Sequence, residues 1–167
     1  TEIVPTSRHT YSGRRVTGIA GKKNFTVIFL EKSLMNAEIG FTYRVLAVFL
    51  KHGISFEHIP TGIDTMSFVV DSDLLKNGVL EEVCAEIEEN VHPDNLRVIT
   101  DIALIAVVGH GMAKSVGTSA RLFEAIARAG VNVRMIDQGS SELNIIVGVD
   151  NENYERTLKA VYEEFFD

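Results

Sequence analysis

Two segments of the chain carry residue types that could bind a small zwitterion. Glu31 to Gly40 and Gly109 to Gly117 each end at a glycine that is predicted to open a helix. The backbone N–H groups at a helix start are unpaired and the helix dipole is positive there, so this position suits a carboxylate. Glu38, and Glu57 further along the chain, are carboxylates that could meet an ammonium group. These residues predict a site for an amino acid in the first segment.

The second segment offers no equal partner for an ammonium group. Ser55-Phe56-Glu57, at the predicted start of the next strand, corresponds there to Asn132-Val133-Arg134. A guanidinium repels a cation, so we expect weak binding or none at this second position. The alternative interpretation, which the residues leave open, is that both segments are ordinary loops with solvated acidic side chains.

Other motifs in the chain do not form a catalytic or metal centre. Gly21-Lys22-Lys23 lacks the spacing of a phosphate-binding loop, and a solvated turn is the better interpretation. Gly109-His110-Gly111 lacks the third glycine of a dinucleotide-binding fingerprint. The five histidines show no metal-ligand spacing, and Cys84, the single cysteine, falls on the apolar stripe of a predicted helix. We therefore expect no catalytic residue and no metal site in this chain.

An internal repeat organises the elements that position these residues. A shift of 77 residues aligns two halves of the chain, including Phe68-Val69-Val70 with Ile145-Ile146-Val147. The identical pairs are Met35 and Met112, Gly40 and Gly117, Arg44 and Arg121, Gly53 and Gly130, and Gly62 and Gly139. Three of the five pairs are glycines at element boundaries, where backbone geometry selects the residue, so we infer a duplication.

Hydrophobic periodicity predicts the order β-α-β-β-α-β, the ferredoxin-like split unit of the α+β class. In the first copy the predicted elements are a strand at Phe25–Leu30, a helix at Gly40–Lys51, strands at Ile54–Ile59 and Thr65–Asp71, a helix around Leu80–Ile87 and a strand at Leu96–Thr100. In the second they are a strand at Ile102–Val108, a helix at Thr118–Ala129, strands at Val131–Asp137 and Glu142–Val149, and a helix at Asn153–Phe165.

The second copy lacks one strand, and an extended segment at Arg15–Ala20 has no partner. The simplest solution inserts the first module, residues 25–100, into the second, residues 15–24 plus 101–167. Residues 1–14 are polar and turn-rich, which indicates a linker.

Composition limits the class of protein. The chain has 167 residues, and its formal charge of −7 argues against a nucleic-acid surface. It contains no apolar run of the roughly 20 residues that a membrane helix needs and no signal-peptide pattern, so we expect a cytoplasmic protein with no membrane partner.

Several stretches resemble the C-terminal regulatory half of monofunctional aspartate kinases. The matching text is VTGIAGKKNFTVI, LMNAEIGF, HGISFEHIPTGIDTMSFVV, VNVRMIDQGSSE and VYEEFF, preceded by the linker IVPT. The resemblance implies two interleaved ACT modules that pair into a homodimer and bind an end-product amino acid, which inhibits a kinase domain that phosphorylates aspartate. ATP and Mg²⁺ would bind that kinase domain, whose motifs are missing here, so the resemblance implies that this fragment is inactive.

The resemblance also places the effector site in the first module. By matching motif it comprises Met35, Glu38, Gly40, Phe41, Thr42, Ser55, Phe56 and Glu57, with a possible partner-chain contribution from Thr61 and Asp64. Lysine-sensitive relatives often have a small hydroxyl residue at the position of Glu38. We expect lysine as effector and threonine second, because negative charge at Glu38 and Asp64 would favour a second ammonium. Two rival functions are a free-standing ACT-type amino-acid sensor that controls a partner protein, and a structural dimerisation module without a ligand.

Overall fold

The computed structural model describes residues 15–167; the predicted linker at residues 1–14 lies outside this range. The chain divides into two compact units. The first unit is Lys23–Ala103, and the described part of the second unit is residues 15–22 together with Leu104–Asp167. The first unit is therefore one continuous stretch, with the two parts of the second unit on either side of it in sequence.

Strands and α-helices alternate along the described chain, except that the last two strands follow one another. They are β1 (Gly18–Glu31), α1 (Phe41–Lys51), β2 (Thr65–Asp71), α2 (Val79–Val91), β3 (Asn95–Val108), α3 (Thr118–Arg128), β4 (Met135–Asp137), β5 (Asn144–Asp150) and α4 (Tyr154–Phe166). The strand order is β2-β1-β3 in the first unit and β1-β3-β5-β4 in the second. The α+β class with ferredoxin-like modules is confirmed.

The duplication is visible in the elements. β1 and β3 have 14 residues each, begin 77 positions apart and share nearly the same sequence of buried and exposed residues. α1 and α3 are also 77 positions apart, but β2 and β5 are 79 apart. The predicted alignment of Phe68-Val69-Val70 with Ile145-Ile146-Val147 is therefore wrong by two residues, because the chain before β5 is two residues longer.

Two predicted strand breaks are absent. The predicted turn at Gly21-Lys22-Lys23 lies inside β1, and the strands predicted at Leu96–Thr100 and Ile102–Val108 are one strand, β3. Each long strand contains one residue with positive φ, Asn24 at 73° and Asp101 at 59°, yet the strand continues on both sides of it. Polar, solvent-exposed strand residues produced the sequence signal of a turn.

The β1–β3 pairing extends into both units. The Thr17 amide donates to the Val108 carbonyl (2.8 Å) in the second unit, and the Asp94 amide donates to the Glu31 carbonyl (2.8 Å) in the first. The N-terminal segment therefore forms part of the second unit.

The strands predicted to follow α1 and α3 are mostly coil. Ile54–Ile59 contains only an isolated bridge between His58 and Val69, and of Val131–Asp137 only Met135–Asp137 is a strand. β-Branched and aromatic residues there gave a strand signal. In the structure Ile54 and Val131 are buried and Ile59 packs against the core, although the backbone is mostly coil.

The core of the first unit fixes the start of α1. Antiparallel pairing of β1 with β2 places Ile28 opposite Phe68. Their buried face packs against the apolar face of α1, which contributes Phe41, Val45, Val48 and Phe49. Because Phe41 is the first residue of α1 and is only 2% exposed, the helix start is anchored in the core.

Candidate functional site

The loop between β1 and α1 is built to end at a fixed helix start. After Leu34, with φ of 60°, a short 3-10 helix at Met35–Ala37 buries the Met35 side chain. Gly40 then adopts φ of 80° directly before α1. A side chain is strained in this left-handed region, so the turn selects glycine.

The backbone amides at this helix start differ in availability. The Phe41 amide donates to the Glu38 carbonyl (3.3 Å), whereas the Gly40 and Thr42 amides have no acceptor within residues 15–167. Phe41 contributes its side chain to the core rather than to a ligand. Of the three amides predicted to hold a carboxylate, those of Gly40 and Thr42 are therefore the available donors.

Glu38 differs from the expectation of an uncompensated negative charge. Its carboxylate forms an ion pair and hydrogen bond with the Arg44 guanidinium and lies 3.6 Å from the Lys32 ammonium. Arg44 also donates to the Ile39 carbonyl at 3.5 Å. The charge of Glu38 is therefore compensated by two cations from its own unit, which removes it as surplus negative charge for a second ligand ammonium.

The segment after α1 presents an aromatic anchor and an exposed carboxylate. The Phe56 ring packs edge-on against Phe49 and Phe68, at centroid distances of 6.1 and 6.0 Å. The Glu57 amide donates to the Val69 carbonyl (2.8 Å), which fixes the backbone beside β2. Glu57 and Ser55 are exposed, and the Glu57 side chain has no ion pair within the described chain.

The two residues predicted as partner-chain contributions lie on the turn before β2. Thr61 forms an isolated bridge with Met66, and the Asp64 carbonyl accepts the Lys32 amide at 2.9 Å. Lys32 thus links the Glu38 loop to the Asp64 turn. The Asp64 carboxylate has no partner within residues 15–167 and is the second exposed acid of this region.

The equivalent region of the second unit has the same backbone but different charges. Gly117 has φ of 90° before α3. Arg134, which replaces Glu57, donates to the Asp150 carboxylate at 2.6 Å. This position presents a compensated cation and no free acid to a ligand ammonium.

Sequence reasoning missed Arg44 and Lys32 as part of this site. Arg44 was noted only as a match to Arg121 in the repeat. A signal was available, since Glu38 and Arg44 flank the helix-opening glycine on a short loop, but their pairing depends on the turn geometry at Gly40.

Three further features concern other kinds of site: the cysteine thiol, clusters of possible metal ligands, and helices long enough to cross a membrane. Burial, with the nearby Glu88 and Glu81 carboxylates, raises the pKa of the Cys84 thiol to about 11. Within the described range, no three His, Cys, Asp or Glu side chains are grouped to hold a metal ion. The longest helices there have 13 residues, and none has the length and apolar character to cross a membrane.

Comparisons with known proteins agree with this architecture. Residues 105–165 match the family model of the ACT domain. Aspartokinase 3 of Bacillus subtilis (strain 168) is 41% identical over 151 residues, covering 90% of this chain and 33% of that protein. The crystal structure of Clostridium acetobutylicum aspartate kinase, described as an allosteric enzyme, matches with a TM-score of 0.86 and 45% identity over 90% of this chain and 34% of that one.

A crystal structure of E. coli aspartokinase III in complex with lysine and aspartate matches with a TM-score of 0.73 and 25% identity, covering 92% of this chain and 34% of that one. The chain spans about a third of the length of these relatives. Together with the ferredoxin-like units, these matches show that the chain is similar to the ACT-domain regions of aspartate kinases.

Proposed function

We propose that this chain is the regulatory region through which an end-product amino acid inhibits an aspartate kinase. The parent enzyme would transfer phosphate from ATP to aspartate, with ATP and Mg²⁺ bound by a kinase domain outside this chain. The region itself would bind the effector, form a homodimer and have no kinase activity. A cytoplasmic location remains our expectation for the parent enzyme.

Lysine is the effector that we favour, with threonine second. The relative from E. coli was crystallised with lysine and aspartate, which supports an amino-acid ligand of this class. Because Glu38 is compensated by Arg44 and Lys32, the preference for a second ammonium now depends on Glu57 and Asp64.

One observation carries the assignment of the site to the first unit. Glu57 is an exposed carboxylate without an ion pair within residues 15–167, whereas its counterpart Arg134 is paired with Asp150. We expect Glu57 to bind the α-ammonium of the effector, and the Gly40 and Thr42 amides to face its α-carboxylate. A charge-assisted hydrogen bond of this kind contributes about 1.5–3 kcal/mol when shielded from water.

Calorimetric titration of the chain with lysine, threonine and methionine tests the proposal. We expect lysine to bind most tightly. Glu57→Gln keeps the shape of the side chain and removes its charge, so it should weaken lysine binding by roughly tenfold or more, which corresponds to about 1.4 kcal/mol.

Arg134→Gln makes the matched change in the second unit and should leave lysine affinity unchanged. Tighter binding of threonine than of lysine would contradict the effector assignment. An unchanged lysine affinity in Glu57→Gln would contradict the assignment of the ammonium site.

A further inference from the structure

The two arginines in the first turn of the duplicated helices, Arg44 of α1 and Arg121 of α3, have different partners. Arg44 bonds within its own loop, to the Glu38 carboxylate and the Ile39 carbonyl. Arg121, 77 residues later, turns to α4 and donates to the Glu164 side chain (2.7 Å) and the Glu164 carbonyl (2.5 Å). Its guanidinium also lies 4.9 Å from the centre of the Phe165 ring. The Arg121 guanidinium thus links α3 to α4, whereas the Arg44 guanidinium contacts the loop before its own helix.

The loops themselves are held by different kinds of bond. In the second unit Arg15 donates to the Val116 carbonyl (3.2 Å), and the Lys114 amide donates to the Glu142 carboxylate (2.7 Å). Both bonds use a backbone atom of the loop. In the first unit the Ser33 amide likewise donates to the Asp94 carboxylate (2.6 Å), but the loop is also held by an ion pair between two side chains, Glu38 and Arg44, each about one-third exposed. Only the ion pair offers two opposite charges that a zwitterion can match.

The Arg44 guanidinium lies at the helix start. Its Nη1 atom is the nearest atom, at 3.8 Å, to the point where a Cβ on Gly40 would stand. A guanidinium presents N–H donors in a planar fork that matches a carboxylate with two parallel hydrogen bonds. A carboxylate near the Gly40 and Thr42 amides would therefore lie within reach of this fork.

We propose that Arg44 binds the effector's α-carboxylate and that Glu38 holds Arg44 in place until the effector arrives. This inference rests on the proposed function. In the exchange the ligand carboxylate replaces Glu38 on Arg44, while Glu38 keeps Lys32 as a neighbour at 3.6 Å. Each cation retains an anionic partner throughout, so the exchange leaves no charge uncompensated. The described part of the second unit has no glutamate–arginine ion pair at the corresponding loop, and this is a second difference between the units beside the Arg134–Asp150 pair.

Titration with lysine and with lysine amide separates a carboxylate contact from a general role in loop structure. Lysine amide keeps both ammonium groups and lacks the carboxylate charge. Arg44→Gln should weaken lysine binding at least tenfold and change the affinity for lysine amide less than about twofold. Arg44→Lys keeps the charge without the fork and should give an intermediate loss for lysine.

Arg121→Gln is the matched control and should leave both affinities unchanged. Equal losses for lysine and lysine amide in Arg44→Gln would show that Arg44 acts only on loop structure and would overturn the inference. Equal changes in lysine affinity in Arg44→Gln and Arg121→Gln would also overturn the inference.

Failure of the proposed function gives a different result. If threonine binds the unaltered chain and lysine does not, the effector assignment is wrong, and threonine with threonine amide applies the same test to Arg44. If none of these ligands binds, the proposed function fails and this inference fails with it.

Discussion

Glu38 and Glu57 show that two carboxylates near one loop can have different roles. Glu38 lies between Arg44 and Lys32, so its charge is compensated by these two cations and holds the loop. Glu57 is exposed and lacks an ion pair within the described chain, so its charge is available to a ligand. The residue types alone do not separate the two, because the difference lies in the cations that the fold brings to each.

Gly40 offers a prediction at this scale. Its φ of 80° is strained for any residue with a Cβ, so Gly40→Ala should lower the free energy of unfolding by roughly 1–2 kcal/mol. Gly117→Ala, at φ of 90°, should cost about the same. Only Gly40→Ala should also weaken lysine binding, because it shifts the helix start that faces the ligand. Thermal unfolding and calorimetry on both variants check this; equal lysine affinities would contradict it.

The Cys84 thiol should react slowly in the folded chain. Burial raises its pKa to about 11, and only the thiolate is nucleophilic. The rate of reaction with a disulfide reagent should therefore be low at pH 8 and should rise as the pH approaches 11. Unfolded chain, in which a cysteine pKa is about 8.5, should react much faster at pH 8. A folded-state rate that levels off below pH 9 would contradict the expected pKa.

Among the secondary-structure elements, one carboxylate in each unit links its two helices. Lys51 of α1 and the adjacent His52 bond Glu86 of α2, and these bonds hold the pKa of the Glu86 carboxyl below its ordinary value. In the second unit Arg121 and Arg128 of α3 hold the pKa of the Glu164 carboxyl below its ordinary value in the same way. The duplicated fold has thus kept the link between helices while changing the residues that form it.

The Glu164 link predicts a defined dependence on pH. A carboxyl whose pKa is lower in the folded than in the unfolded chain stabilises the fold above its unfolded pKa of about 4.3. That stabilisation disappears as the pH falls through the lower, folded pKa. Glu164→Gln should therefore lower the melting temperature at pH 7, and the difference from the unaltered chain should shrink below pH of about 4.

Glu163→Gln is the control for this prediction. Among the described residues the Glu163 carboxylate pairs only with Lys159, at 3.6 Å, and its side chain is 51% exposed, so its removal should change the melting temperature little. A Glu164→Gln effect that stays constant from pH 7 to pH 3 would show that the pair does not supply the stabilisation.

Sequence reasoning located the helices and β2 because their apolar periodicity agrees with how they pack. It placed α1 within one residue of Phe41–Lys51 and β2 at its observed bounds. It misjudged Ile54–Ile59, since only the end of this β-rich segment, from Glu57 onward, bonds β2. The sequence places Glu38 and Arg44 on either side of Gly40, but it does not tell which way the Arg44 side chain turns, so it does not establish their pairing.

Gly109 lies where the N-terminal segment of the chain passes close to the second part of its unit. A Cβ there would stand 2.2 Å from the Arg15 carbonyl oxygen and 3.0 Å from the Thr17 nitrogen, both of them backbone atoms. Gly109→Ala should therefore displace residues 15–17 from the second unit and lower its stability. Gly139→Ala is the control, because no atom of residues 15–167 lies within 4 Å of its Cβ position.

Hydrogen exchange should report this displacement at the Thr17 amide, which donates to Val108 in the unaltered chain. We also expect removal of residues 1–20 to reproduce the loss of stability and to promote aggregation. An unchanged melting profile after that removal would contradict the role of this segment in the second unit.

The most exposed apolar side chains of the described chain are concentrated in the first unit. Those more than 70% exposed are Leu34, Ile39, Tyr43, Leu50 and Ile63 in the first unit and Val116 in the second. A contiguous apolar patch is typical of an interaction surface, and Leu34, Ile39 and Tyr43 lie close together in sequence, on the β1–α1 loop and the first turn of α1. Most self-associating proteins pair through the same surface on both copies. We therefore expect a homodimer that forms mainly through the first unit.

Ile39 and Val116 provide a matched test of this interface, because they occupy equivalent positions 77 residues apart and are 96% and 92% exposed. Light scattering of the unaltered chain should give twice the 18.4 kDa mass of one chain. Ile39→Lys should weaken the dimer, since burying an unpaired ammonium at an interface is unfavourable, whereas Val116→Lys should leave the mass unchanged. A monomer at roughly tens of micromolar, both with and without lysine, would contradict the homodimer. Equal dissociation by the two substitutions would instead contradict its placement on the first unit.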